Sequence, residues 1–275
     1  MVKPSCRRVF VRRAVSEKRA SIRVACLAFS ISESCYRYES KNNDENIRIA
    51  ELLIDVTNRN KRWGFKLCFL YLRNVCGHKW NHKRVYRIYK ELELNLRIKP
   101  RKRIIRDKPD KLEVPVCSNE TWSMDFMSDQ LSNGQKIRTF NVLDDFNREG
   151  LNIEIDISLP SSRVIRSLEQ IIEWRGKPKA LRCDNGPEYI SAALTKWVEQ
   201  NNIKLIFIQP GNPQQNAYIE RFNRTVRHEY LEMNEFTSIE HAQEEVTKWL
   251  WTYNNERPNM AIGGITPAMK LLKSA

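Results

Sequence analysis

From Thr121 onward the chain alternates short β-favouring runs with amphipathic stretches, and this order restricts the folds open to it more than any other feature. Strands are expected over 121–127, 137–143 and 150–157, joined by short hairpin-like links. A helix over 161–174, a strand over 179–183, a helix over 188–201 and a strand over 203–208 follow. Helices over 214–232 and 238–254 come next. Three linked strands, then helix, strand, helix and strand, specify an α/β fold: a mixed sheet flanked by helices. Trp197, Trp249, Trp251 and Tyr253 fall in apolar helical periodicity and are expected in the core.

Three acids stand where this pattern gives them a common neighbourhood. Asp125 lies in Thr121-Trp122-Ser123-Met124-Asp125-Phe126, an apolar run that reads as a strand. Asp184 ends Ala180-Leu181-Arg182-Cys183-Asp184 and precedes the turn Asn185-Gly186-Pro187. Glu220 falls in a helical stretch after the breaker-rich Pro210-Gly211-Asn212-Pro213, with 35 residues between it and Asp184. Two acids at strand ends and one on a helix can converge. Hard divalent cations such as Mg²⁺ take carboxylate oxygens and keep positions open for water and phosphate. A buried carboxylate with no such partner is costly. Asn216, Asn223 and Arg227 stand at i−4, i+3 and i+7 from Glu220 and share its helix face, where amides and a guanidinium could orient a phosphate or a terminal nucleotide. Asp144 and Asp145 end a strand where turn chemistry accounts for them, and Glu188 is expected to open a helix.

Charge separates the chain into two parts. Its 275 residues carry a net charge of +14, but residues 1–110 hold 28 basic against 11 acidic side chains and the remainder 19 against 22. A basic front and a near-neutral back suggest a polyanion-binding part ahead of a separate globular part. No apolar run spans a bilayer and no signal-peptide core follows the basic start, so a soluble, cytoplasmic protein with no membrane partner is expected. The seven scattered cysteines fit a reducing compartment. Cys68, Cys76, His78 and His82 offer zinc-ligand types without the paired-thiolate spacing of a zinc site.

Within the basic part, Ser16 and Ser32 are expected to cap two short helices over residues 1–40. A longer amphipathic helix follows over 45–60, and another from Phe65 to Val75 after Gly64. Asn81 is a good cap for the helix His82 to Leu92, in which Val85, Ile88, Tyr89 and Leu92 face a core. Lys83, Arg84, Arg87 and Lys90 fall largely on the other side, placed to meet DNA phosphates or base edges. Residues 98–118 combine prolines with a dense basic run and read as a linker lying along a DNA backbone.

Taken together and in order, several strings carry a resemblance. They are Trp122-Ser123-Met124-Asp125-Phe126, Leu143-Asp144-Asp145-Phe146, Cys183-Asp184-Asn185-Gly186-Pro187-Glu188 and Gln209-Pro210-Gly211. Gln215 to Asn223, Tyr253-Asn254-Asn255-Glu256-Arg257-Pro258 and Gly263-Gly264-Ile265-Thr266-Pro267 complete the set. With 35 residues before the Glu and a basic residue seven after it, the chain resembles the DDE transposases of bacterial insertion sequences split over two reading frames, and is similar to their second-frame, OrfB product. The resemblance implies a ribonuclease-H-like integrase core preceded by a small all-α helix-turn-helix region. It divides the chain into 1–40, a helix-turn-helix part at 41–97, the linker 98–118 and a catalytic core at 119–275. It implies Mg-dependent cleavage at element ends and strand transfer, with two Mg²⁺ ions (Mn²⁺ substituting) held by Asp125 as the bridge, Asp184 and Glu220. It also implies double-stranded DNA, a first-frame OrfA product or fusion, and a homo-oligomer on DNA as partners. Two places depart from the family pattern: Leu67 and Cys68 replace a usual basic residue, and Asn259 stands where a His is usual. The competing reading is a non-catalytic DNA-binding regulator or the inactive remnant of an element.

Overall fold

A computed structural model describes residues 4–38, 43–97, 112, 114–209 and 211–274. Most of the expected linker, 98–118, therefore lies outside the described residues. The chain divides into two compact units, Met1–Glu51 and Leu52–Ala275.

The first unit holds helices α1 (Pro4–Ser16), α2 (Ile22–Ala28) and α3 (Glu33–Arg37). Val11, Ala25 and Cys26 form its buried centre, with Ala14, Val15, Ile22 and Tyr36 packed around them. Ser32 caps α3 as expected, its hydroxyl accepting from the Cys35 amide at 3.2 Å. Ser16 does not begin a helix. It ends α1, and its hydroxyl donates to the Arg13 carbonyl at 3.0 Å. The chain then reverses through Lys18 in the left-handed region (φ 55°), and Ser21 caps α2 instead. The cap rule was satisfied by the next serine because residues 4–16 contain no interior breaker and hold their own helix.

Helix α4 (Asn43–Arg59) runs through the division between the units. After it come α5 (Phe65–Leu70), a π-helical turn (Tyr71–Val75) and α6 (His82–Glu91). The Asn81 carboxamide oxygen accepts from the Lys83 amide at 2.8 Å, and α6 buries Val85, Ile88 and Tyr89 as its periodicity predicts.

The sheet contains β1 (Thr121–Gln130), β2 (Lys136–Asp144), β3 (Gly150–Asp156), β4 (Ala180–Cys183) and β5 (Lys204–Phe207), in the order β3-β2-β1-β4-β5. The β1–β2 and β2–β3 pairs are antiparallel, and the β1–β4 and β4–β5 pairs are parallel. Helices α7 (Ser161–Arg175), α8 (Ala192–Gln200), α9 (Ala217–Glu229), α10 (Ile239–Asn255) and α11 (Pro267–Ser274) accompany it. The two-residue period of a strand sorts the side chains of β1. Trp122 and Met124 join Val164 and Leu168 of α7 and Leu194 and Trp197 of α8 in one core. Met127 joins Ile219, Phe222 and Val226 of α9 and Val246 and Tyr253 of α10 in the other. Asp125, in step with Met127, therefore faces α9. Trp251 is 59% exposed, because the helical period that turns Val246 and Tyr253 inward turns it out.

The segment from Trp63 to Val75 is tied to α9 and to the C-terminal part of the chain. Trp63 Nε1 donates to Glu229 Oε2 at 3.2 Å, and Arg257 grips the same carboxylate through two bonds of 2.7 and 2.5 Å. Asn74, in the π-helical turn, donates to the Gly264 carbonyl at 2.7 Å. Gly264 has φ 77°, and a Cβ there would stand 2.9 Å from Leu70, so both conformation and space require glycine. Among the described residues no helix is long and apolar enough to cross a membrane.

Glu229 and Arg257 side chains are only 12% and 13% exposed. Replacing Glu229 with Ala strands a buried guanidinium, and we expect a loss of about 3–5 kcal/mol in urea unfolding. Glu244→Ala, which removes a solvent-exposed partner of Lys248, is expected to leave the unfolding midpoint in place.

Candidate active site

Asp125 sits mid-strand with its carboxylate held at both oxygens. Oδ1 accepts from the Phe126 amide at 2.9 Å, and Oδ2 accepts from Asn223 Nδ2 at 2.8 Å. Asn223 Oδ1 in turn accepts from Asn141 Nδ2 at 2.7 Å. Asn141 lies directly across from Asp125 in the β1–β2 register and is fully buried. The site thus has an amide relay that begins on β2, crosses to α9 and returns to β1.

Asp184 is the first residue after β4. In the parallel β1–β4 register Ser123 pairs with Arg182, and each strand reaches its acid two residues further on. Asp184 Oδ1 accepts from the Gly186 amide at 2.9 Å. A Cβ on Gly186 would lie 3.0 Å from that same oxygen, so the turn closes tightly on the carboxylate. Glu220, in the first turn of α9, is half-buried.

Electrostatics shows Asp125 feeling the charge of the other two acids. Burial pushes the Asp125 carboxyl up to about 6 from an ordinary 3.8, and the negative charges of Asp184 and Glu220 add to the rise. Burial likewise raises the Glu220 carboxyl, against the pull of Arg224. None of the three makes an ion pair among the described residues, whereas their neighbours do. Asp145 pairs with Arg182 at 2.6 Å, Glu188 with Arg138, Glu149 with Arg175, and Asp129 stands 3.8 Å from Arg227. Asp144 is occupied differently, accepting from the Asn119 and Phe146 amides at 2.9 and 2.8 Å. Among the described residues no three acidic, histidine or cysteine side chains enclose a single point, so the acids form an open array. Their donor set is nevertheless of the right chemistry for a hard divalent cation: ionisable oxygens, half-buried, with no ion pair among the described residues.

The remaining expected residues fall in several places. Asn223 is 7% exposed, and its amide is engaged inside the protein, on Asp125 and Asn141. Asn216, 3% exposed, donates to the Met124 carbonyl at 3.4 Å, and its Oδ1 has no partner. Arg227 reaches along β1 past the acids and donates to the Ser128 carbonyl at 3.0 Å. On α6, Lys83, Arg87 and Lys90 are exposed and Arg84 is half-buried. Arg87 stands 3.7 Å from Glu91, and Lys90 lies over the Tyr86 ring.

Two features escaped sequence reasoning. Asn141 left a faint signal, a lone amide in the apolar run Phe140 to Leu143 of β2. Glu188 does not open a helix: Ser191 caps α8, which begins at Ala192. Instead Glu188 pairs with Arg138, whose guanidinium lies 4.4 Å from the centroid of the Phe126 ring. Burial opposes ionisation of Glu188, but the bond from Arg138 and its charge hold the carboxyl below the usual range. Tyr189, stacked on Phe126 at 5.2 Å, completes a brace that fixes the Asp184 loop over β1.

Comparison with known proteins identifies the family of the chain. Two models described as integrase core domain match residues 115–213 and 201–267. An uncharacterized protein of insertion element IS407 from Burkholderia multivorans is 36% identical over 256 residues, covering 93% of this chain and 92% of its own. The transposase product assigned to insertion sequence element IS150 of Escherichia coli is 26% identical over 259 residues, covering 87% and 89%. The simian T-cell lymphotropic virus intasome, solved by cryo-electron microscopy with the PP2A regulatory subunit B56 gamma, superposes with a TM-score of 0.50 at 20% identity. That match covers 80% of this chain and 73% of the other, and it shows the shared ribonuclease-H-like fold. The chain belongs to the insertion-sequence transposases of the integrase-core, OrfB type.

An acid whose folded form binds its proton more tightly than its unfolded form stabilises the fold below its ordinary pKa and loses that contribution as pH rises. For Asp125 the loss falls between about pH 4 and pH 6 and amounts to at most about 3 kcal/mol. Asp125→Asn in metal-free protein is therefore expected to be more stable than the parent at pH 8, with the advantage vanishing at pH 4. Urea unfolding at the two pH values measures this, and an equal difference at both would contradict it.

Proposed function

We propose that this protein is a transposase catalytic subunit that cleaves DNA at element ends and transfers the resulting 3′-hydroxyl to target DNA, with Asp125, Asp184 and Glu220 as its metal-binding acids. The observation that carries the reading is a set of three acids, two of whose charges are felt by the third, that makes no ion pair among the described residues, in a chain of the transposase family. The charges of Asp184 and Glu220 oppose ionisation of the buried Asp125 carboxyl, and a bound cation would relieve that opposition. Divalent ions such as Mg²⁺, when bound there, supply an activated nucleophile and relief of charge on the leaving oxygen.

The chain's own residues prepare for that chemistry. Asp125, as the bridging ligand, is kept in one rotamer by the Asn141–Asn223 relay and the Phe126 amide. Asp184 is held by the Gly186 amide and by the Arg138–Glu188 brace on its loop. Glu220 approaches from α9 and completes the set. We assign DNA contacts to Lys83, Arg84, Arg87 and Lys90 of α6, and to Asn216 and Arg227 beside the acids. Arg227 would grip a phosphate with the N–H groups it does not spend on the Ser128 carbonyl. Residues 41–97 would read DNA, the basic segment 98–118 would follow its backbone, and 119–275 would carry the chemistry. Assembly on DNA as an oligomer in the cytoplasm, with a first-frame product or a fusion to it, completes the proposal.

The test is nicking of a duplex oligonucleotide carrying an element end. Asp184→Asn is expected to reduce Mg²⁺-dependent nicking to background while duplex affinity stays within about twofold of the parent. Nicking by the variant at the parental rate would rule out Asp184 as a ligand.

A further inference from the structure

Helix α9 presents a second face that the acids do not use. At about 100° per residue, Tyr218, Arg221, Phe222 and Thr225 lie well round the helix from Glu220, Asn223 and Arg227. Tyr218, Arg221 and Phe222 border a cleft of about 360 Å³ whose other walls include Arg148, Tyr253 and Asn259.

Arg148 is the unusual member. It sits in the turn between β2 and β3 with φ 64°, a conformation few residues other than glycine, asparagine and aspartate adopt readily. It is 7% exposed, and its Nε and Nη1 are buried without any hydrogen-bond partner. Its guanidinium lies over the Tyr218 ring, 3.3 Å from the centroid, which fixes the plane but satisfies no N–H. Among the described residues it makes no ion pair. Asp145 feels the Arg148 charge but gives its Oδ2 to Arg182 rather than to Arg148, Asp144 accepts from two backbone amides, and Glu229 pairs with Arg257. A desolvated cation with unsatisfied donors is costly, and strain concentrates where structure serves a ligand. Arg221 is exposed at the same cleft and adds a second positive charge.

We propose that this cleft is a second phosphate-binding site, separate from the acid centre, that takes a backbone phosphodiester of a DNA segment other than the one being cut. The Arg148 fork would meet two phosphate oxygens and Arg221 would add charge from the rim, the geometry for which arginine is suited. The inference rests on the DNA-processing reading and adds to it a second point of contact.

The test uses the full chain. Duplex affinity is measured over a salt series for the parent, Arg221→Ala and Arg148→Met, with circular dichroism to check folding. Each variant is expected to lower the slope of log affinity against log salt by about 0.9, the contribution of one phosphate contact. Arg221→Lys is expected to keep the parental slope. Arg221 is exposed, so its variants decide the matter if Arg148→Met does not fold. A second arm compares thermal unfolding of the parent in inorganic phosphate and in chloride at equal ionic strength. Stabilisation by phosphate with unchanged DNA slopes would mean a free-anion site and would overturn the DNA assignment. Unchanged slopes without phosphate stabilisation would overturn the site altogether. A parent that fails to bind duplex at any salt would overturn the transposase reading as well, which separates the two failures.

Discussion

The pairing of β1 with β2 on one side and with β4 on the other is the constraint on which the rest of the structure depends. Antiparallel pairing sets Asn141 opposite Asp125, and parallel pairing carries β4 to the same end of the sheet so that Asp184 follows at the matching level. Because strand side chains alternate, a slip of one residue in β1 would bury Asp125 among Leu168 and Trp197 and turn Trp122 toward α9. The apolar pattern of β1 therefore protects the position of its one central acid. Packing of Ile219, Phe222 and Val226 against the opposite sheet face then brings Glu220 and Asn223 to it.

Charge pairing separates the acids with a structural partner from those of the candidate site. Glu229, Glu149 and Asp145 each meet an arginine, and such buried pairs hold position because breaking them leaves an uncompensated charge. Asp125 and Asp184 have hydrogen bonds that orient them, and none of the three candidate-site acids makes an ion pair among the described residues. A charge-assisted bond such as that from Asn223 to Asp125 is worth roughly 1.5–3 kcal/mol, too little to offset full burial of an unneutralised carboxylate. Arg148 presents the same imbalance with the opposite sign. Each points to a ligand of complementary charge, a cation in one place and a phosphate in the other.

The sequence made the strand order, the helix faces and the three acids legible, because each rests on local periodicity or on spacing along the chain. Val85, Ile88 and Tyr89 turn inward on α6, and Asn81 caps it, for the same local reasons. What remained hidden depends on contacts across the chain. Asn223 shares a helix face with Glu220, but only the fold reveals that its amide is committed to Asp125 and Asn141. Glu188 looked like a helix-opening acid, yet Ser191 won the cap and Arg138, 50 positions away, took the carboxylate. Arg227 was expected beside a phosphate, and only the fold reveals that it also donates to the Ser128 carbonyl, since α9 runs alongside β1. Arg148 gave no signal at all, because its burial follows from where α9 and the C-terminal segment fall.

Whether the acids hold metal is the central claim, and a crystal structure of the protein grown with Mn²⁺ tests it most directly through the anomalous scattering of the ion. The account predicts anomalous density within coordination distance of Asp125 and Asp184, with Glu220 completing the site, and loss of that density in Asp184→Asn. Density only elsewhere on the protein, or unchanged density in the variant, would contradict it.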